Sequence, residues 1–198
     1  KFYADSLRDN FQESLDMVVS DPLTGLGNRR YFDRSIMPLL DEAKSGATFS
    51  LVMFDVDHFK RVNDILGHDT GDVILKEIAA RLVTNFRSID IVGRYGGEEF
   101  VVAMPDTNAQ DAKIAADRIR ALISGTPIYL DGQALSVSVS AGISESVPGE
   151  SPRDMFKRAD EALYLSKETG RNRITYSDHV SGGLVPVKAE DVPAPHED

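Results

Sequence analysis

Ile89-Asp90-Ile91-Val92-Gly93-Arg94-Tyr95-Gly96-Gly97-Glu98-Glu99-Phe100-Val101-Val102-Ala103 places two glycines and two carboxylates between two apolar segments. Residues 89–92 and 100–103 read as strands. Gly96-Gly97 then closes a hairpin, and the missing Cβ atoms let a ligand approach the backbone. Glu98 and Glu99 stand at the tip, where they could hold metal and phosphate. Gly-Gly-acid turns also occur in plain solvated hairpins, so the rest of the chain decides what this one does.

Upstream, residues 49–56 are almost continuously apolar and end in Asp55-Val56-Asp57, the pattern of a central strand buried on both faces whose end emerges into a polar site. Two helices follow, near residues 58–66 and 71–86, with Gly67-His68-Asp69-Thr70 as the break. Before the strand, a glycine-bearing loop over residues 21–28 leads into a helix of about residues 29–44, which Pro38 should kink or shorten. Downstream come a helix near residues 108–123 and a strand in which Leu135, Val137, Val139, Ala141 and Ile143 alternate with Ser136, Ser138 and Ser140. A helix near residues 152–169 and a short strand at 173–176 complete the order. The fold class expected is α+β: a mostly antiparallel central sheet flanked by helices, ferredoxin-like in architecture.

The ends have a different character. Leu7, Phe11, Leu15, Val18 and Val19 recur at helical spacing, which predicts an amphipathic helix over residues 1–20, covered either by a partner helix or by its own domain. The first residue is Lys1 rather than Met, and the expectation is a regulatory domain upstream. From Ser177 onward the sequence is rich in Gly, Pro and acids, which predicts a disordered acidic tail over 177–198. The catalytic domain is thus expected to span 21–176. At 198 residues and 41% hydrophobic content, the chain can bury one good core. There is no run near the roughly 20 apolar residues of a membrane span and no signal-peptide pattern, so a cytoplasmic location is expected. The absence of cysteine excludes disulfide and thiol chemistry, and the net charge of −10 argues against a general nucleic-acid surface.

Asp55 and Glu98 would meet if their strands are neighbours with aligned ends, and two such carboxylates make a Mg²⁺ site, with the Val56 carbonyl and Glu99 as further ligands. Asp55 could equally cap the helix that follows. A polyphosphate needs cations, and Lys60, Lys167 and Arg171 are available. The last two also suit an ordinary solvated helix end. Asn63 and Asp72, flanking the helix break, offer an amide and a carboxylate that match the edge of guanine, although capping would also account for them.

Taken together, Asp21-Pro22-Leu23-Thr24-Gly25-Leu26-Gly27-Asn28-Arg29-Arg30, Asp55-Val56-Asp57-His58-Phe59-Lys60 with Asn63-Asp64, Gly67-His68 with Gly71-Asp72, and Arg94-Tyr95-Gly96-Gly97-Glu98-Glu99-Phe100 resemble the GGDEF family of bacterial diguanylate cyclases. The likeness runs from about residue 21 to 173, and Gly-Gly-Glu-Glu-Phe is an active form of that family's motif. It implies a palm-like nucleotidyl-cyclase fold and the condensation of two GTP molecules into cyclic di-GMP and two pyrophosphates at a homodimer interface. On the matching positions it implies Asp55, Val56, Glu98 and Glu99 as ligands of two Mg²⁺ ions per half-site, with Mn²⁺ an expected substitute, and Glu98 helping to deprotonate the 3′-hydroxyl. Asn63 and Asp72 would read guanine; Lys60, Lys167, Arg171 and the amides of His58 and Phe59 would hold phosphates. The N-terminal helix would be a coiled-coil signalling segment.

Arg87-Ser88-Ile89-Asp90 matches the family's product-inhibition motif for cyclic di-GMP, with Arg118 as a further contributor to this pocket and Arg94 expected to close one between subunits. A local ion pair is the plain alternative. Two rival readings share the motifs: a receptor that binds GTP or cyclic di-GMP without turnover, and a different nucleotidyl cyclase or palm-like polymerase.

Overall fold

Phe49–Val56 (β2) forms the middle of the sheet in the computed structural model, which describes residues 19–178 and 182–187. All eight residues are buried, as a continuous apolar run requires. Its alternation sorts two cores. Val52, Phe54 and Val56 face Ile74, Leu75 and Ile78 of His68–Asn85 (α4) and Ala112, Ala116 and Ile119 of Ala109–Gly125 (α5). Phe49, Leu51 and Met53 face Phe32 of Arg29–Ser35 (α1), Leu40 of Met37–Ala43 (α2), and Met155, Ala159 and Leu163 of Pro152–Glu168 (α6). Period-2 geometry therefore puts Asp55 on the α6 side of the sheet.

The large sheet has the order Gly27–Asn28 (β1), Ile91–Arg94 (β3), Glu99–Pro105 (β4), β2, Val139–Glu145 (β7), Ile174–Asp178 (β8) and Gly183–Pro186 (β9). The strands β3 and β4 form the expected hairpin, and β2 is antiparallel to both β4 and β7. Those central strands, with Phe59–Leu66 (α3), α4 and α5 in the crossovers, make the ferredoxin-like unit. At the flanks, β1 adds parallel to β3, and β8 adds parallel to β7.

Pro38 acts as expected: it lies in the first turn of α2, and the helical stretch divides at Ile36. Other expectations change. The break between α3 and α4 shrinks to Gly67, because α4 already begins at His68. Ile89 is exposed and precedes its strand. The Leu135–Ile143 alternation is not one strand: Gln133–Leu135 (β6) pairs with Ile128–Leu130 (β5) in a separate small hairpin, and only the later half joins the main sheet. Nor is the serine side of β7 solvated. Ser140 and Ser144 are fully buried, because Gly142 lets α6 approach until a Cβ there would overlap the Ala159 carbonyl and the Leu163 amide.

The expected disordered tail is corrected in part. Gly183–Pro186 (β9) pairs antiparallel with β8, Tyr176 opposite Val185. Short alternating Leu184 and Val185 suffice at a sheet edge, where one flank of backbone partners is already supplied. The helix expected over residues 1–20 lies outside the described residues except for its last two positions, and residues 188–198 lie outside them as well.

Candidate active site

The register of β2 and β4 pairs Asp55 directly with Glu99. Residues paired in register share a face, so both side chains point to the α6 side with Val101 and Ala103. Glu98 sits one residue earlier, in the turn, where its carbonyl accepts the Val56 amide at 3.2 Å. The sequence argument set Asp55 against Glu98; the sheet sets it against Glu99 and leaves Glu98 beside them. Burial raises the pKa of Asp55, and Asp57 raises it further against the opposing pull of Lys167 and Arg171. Glu98 and Glu99 are also raised, by burial first and then by repulsion from Asp55. Three acids that resist ionising beside one another form a site short of positive charge.

Lys167, near the end of α6, supplies one charge: its Nζ lies 2.8 Å from Asp55 Oδ2. Arg171 follows in the loop after α6 with a left-handed backbone, φ +61°. Glu99 and Lys167 both line a cavity of about 390 Å³, walled also by Tyr164 and by Leu184 of β9. Lys60 is exposed on α3. Among the described residues no acceptor takes the amides of His58, Phe59 or Lys60, which are the open first-turn donors of α3 and point to anion binding. The left-handed conformation of His58, φ +57°, turns the chain from β2 into this helix.

The hairpin turn is braced from outside. Arg94 donates to the Gly97 carbonyl from Nη2 at 2.6 Å, and Nη1 reaches both Asp21 carboxylate oxygens at 3.0 Å. Burial alone would raise the pKa of Asp21, yet bonds from Thr24 together with Arg94 hold it below the usual carboxylate value. Neither turn glycine has positive φ. Gly96 is needed for space instead, since a Cβ there would overlap the Glu99 carboxylate.

Asn63 is half-buried on α3, and its Oδ1 is a buried acceptor without a partner. It fits against Gly71, where a Cβ would overlap it. Asp72 is exposed on the next turn of chain. An orphaned amide oxygen next to an open carboxylate is a site waiting for hydrogen-bond donors.

The second cluster is an ion pair as the structure stands. Arg87 Nη2 lies 2.8 Å from Asp90 Oδ1 and also donates to the Pro105 carbonyl and Thr107 Oγ1. The Asp90 side chain is 1% exposed and that of Arg87 50% exposed, so the guanidinium, and not the carboxylate, is the group a ligand meets. Arg118 is exposed and bonds the Asn85 carbonyl at the end of α4. Within its own subunit Arg94 is clamped on Asp21 and Gly97, which ties it to the hairpin turn. A groove of about 740 Å³ runs past Arg87, Ser88 and Asp90 to Val19 and Gly27.

Sequence reasoning gave Asp57 no role of its own. It is buried and accepts from Ser138 Oγ and Ser140 Oγ, both at 2.6 Å, and from the Asn172 amide at 2.9 Å. The signal was present in the serine alternation, which reads as a polar face until a buried carboxylate is set against it.

Among the described residues, no three acidic or histidine side chains are gathered tightly enough to enclose an ion, and no helix is long and apolar enough to cross a membrane. The donor types nonetheless fit Mg²⁺: hard carboxylate oxygens and a carbonyl, each acid disfavoured as an anion until a cation arrives.

The chain matches the family described as diguanylate cyclase, GGDEF domain, over residues 18–173. It is 46% identical over 178 residues to the response regulator PleD of Caulobacter vibrioides, covering 88% of this chain and 39% of that protein. It is 38% identical to diguanylate cyclase DgcP of Pseudomonas aeruginosa, over 86% of this chain and 26% of the relative. The chain thus spans less than half the length of these relatives. Among solved structures, the coiled coil and GGDEF domain of DgcB from Caulobacter crescentus, in complex with c-di-GMP, superposes with a TM-score of 0.83 at 33% identity, covering 88% of this chain and 93% of that one. The active GGEEF domain of a diguanylate cyclase from Vibrio cholerae gives 0.71 at 30% identity, covering 77% and 97%.

Proposed function

The chain belongs to the GGDEF-domain family of diguanylate cyclases, and from that premise we propose that it condenses two GTP molecules into cyclic di-GMP with release of two pyrophosphates. The observation that carries the reading is the cross-strand pair Asp55 and Glu99, with Glu98 beside it and Lys167 bonded to it. Asp55, the Val56 carbonyl, Glu98 and Glu99 would hold Mg²⁺, or Mn²⁺ in its place, two ions to a half-site. When bound, the ions neutralise phosphate charge and lower the pKa of the attacking hydroxyl.

The chain's own groups divide the remaining work. Asn63 Oδ1 accepts from the guanine edge and Asp72 takes a second donor, which fixes the base. Lys60, Lys167, Arg171 and the open amides of His58 and Phe59 hold the triphosphate. The 3′-hydroxyl of one GTP attacks the α-phosphorus of the other, the bond to the bridging oxygen breaks, and pyrophosphate leaves with the electron pair. Glu98, whose pKa burial has raised, is suited to accept the hydroxyl proton. Little covalent chemistry is asked of the protein, so positioning and charge supply the rate.

Each domain holds one GTP, so the reaction needs two domains face to face. Residues 1–20 would align them, and a variant lacking this segment that keeps full activity at every enzyme concentration would refute that role. Product would bind through the exposed guanidinium of Arg87 and slow turnover. The test of the main reading is conversion of GTP to cyclic product with Mg²⁺, abolished by Glu98→Ala and not supported by ATP. Binding of GTP without turnover would instead favour a receptor.

A further inference from the structure

We propose that Asp57 is a positioning residue that holds Arg171 in place for the triphosphate, acting through the Asn172 amide. The inference rests on the reading of Arg171 as a phosphate ligand. Arg171 and Asn172 are consecutive non-glycine residues with left-handed backbones, φ +61° and +46°, directly after Gly170 at φ +125°. L-residues avoid this region, and a pair of them persists only where the surroundings over-determine it.

The restraints can be named. The Arg171 amide donates to the Ser166 carbonyl at 3.0 Å, which ends α6. The Asn172 amide donates to Asp57 Oδ2 at 2.9 Å, and the Asn172 side chain accepts from Arg120 at 2.9 Å. Arg173 then enters the sheet as its carbonyl accepts the Ala141 amide at 2.9 Å. Asp57 is the one buried carboxylate among these partners, and it is itself fixed by the hydroxyls of Ser138 and Ser140. It stands two residues after Asp55, so a single chain segment anchors both the metal-binding carboxylate and the loop that carries the phosphate-binding guanidinium. Its neighbours fill its acceptor sites inside the fold, which assigns it to geometry and not to direct contact with substrate.

The test is a double-mutant cycle read on two ligands, a non-hydrolysable GTP analogue with Mg²⁺ and guanosine. Asp57→Ala takes away the acceptor of the Asn172 N–H, whereas an asparagine oxygen, with two lone pairs, could keep both bonds that Oδ2 accepts. The alanine substitution is expected to weaken the triphosphate analogue about tenfold while leaving guanosine within about twofold. In an Arg171→Ala background the same substitution is expected to add less than about twofold, because the group it positions is gone. Full additivity, or equal weakening of both ligands, would overturn the proposal in favour of a general structural role. Wild-type binding of the analogue by a folded Asp57→Ala protein would overturn it outright. If Arg171→Ala alone leaves analogue binding unchanged, it is the phosphate reading of Arg171 that fails. Should Asp57→Ala not fold, Ser138→Ala, which removes one of the three bonds, is judged by the same criteria with a smaller expected loss of about threefold.

Discussion

Lys167 Nζ stands 2.8 Å from Asp55 Oδ2, so an ammonium already occupies one oxygen of the carboxylate that a metal ion would take. The side chains are 30% and 7% exposed, which leaves the pair weakly screened. A metal ion held as proposed would compete with the lysine for Asp55, and its entry would free Lys167 for phosphate. Lys167→Met is expected to tighten Mn²⁺ binding about tenfold in the absence of nucleotide and to lower GTP turnover about a hundredfold. Spin-resonance titration with Mn²⁺ measures the first and product formation the second; weaker Mn²⁺ binding in the variant would contradict the competition.

Gly71 makes room for the unpartnered amide oxygen of Asn63. It lies in the first turn of an 18-residue helix, where alanine is at least as well tolerated as glycine. Gly71→Ala is therefore expected to leave the melting temperature unchanged or raised while KM for GTP rises about tenfold, because the amide is pushed from its place. A fall in stability with unchanged KM would show that Asn63 serves packing and not the base.

Arg87 has a structural duty in addition to its proposed regulatory one. Removing it leaves the buried Asp90 with the Arg87 backbone amide, a bond of 2.8 Å, as its remaining partner. Half of the Arg87 side chain is exposed, so the cost is set well below that of a fully buried pair, at about 1–2 kcal/mol. Arg87→Ala should relieve inhibition by added cyclic di-GMP, keep initial turnover close to wild type, and melt about 2–8 °C lower. Equal inhibition of both proteins would refute the product site.

Tyr95 gives a handle on pH. Burial and then the Asp33 carboxylate, to which its hydroxyl donates at 3.1 Å, push its pKa from 10.0 up to about 12. The unfolded chain would ionise this tyrosine near 10.0 and the folded chain only near 12, so folding favours the neutral form. Its contribution to stability is complete below pH 10 and lost as pH rises toward 12. The difference in tyrosinate absorbance between wild type and Tyr95→Phe should show its midpoint near 12; a midpoint near 10 would exclude the environment described.

Much of this was legible because strand geometry is periodic. The apolar run of Phe49–Val56 could only be a strand covered on both faces, and its polar end had to emerge at an edge of the core. Pro38 likewise marks a helix division by its own chemistry. Register was not legible. Whether Asp55 faces Glu98 or Glu99 depends on one residue of slip, and only long-range pairing fixes it. The surroundings of the β7 serines were not legible either, because a small polar side chain suits water and a close helix equally well, and the deciding fact was the glycine that draws α6 in. The Arg94 clamp was not legible for a related reason: a guanidinium seeks any carboxylate, and the one it meets, Asp21, is remote in sequence.

The last two strands of the main sheet, β8 and β9, fall after residue 173, where the match to the family ends. Leu184 of β9 walls the same cavity as Glu99 and Lys167. A domain trimmed after residue 173 would lose β8 and β9 together, present β7 as a bare edge open to pairing with other chains, and lose one side of the hollow next to its own acids. The span matched to the family and the span that completes the sheet are thus different lengths of this polypeptide.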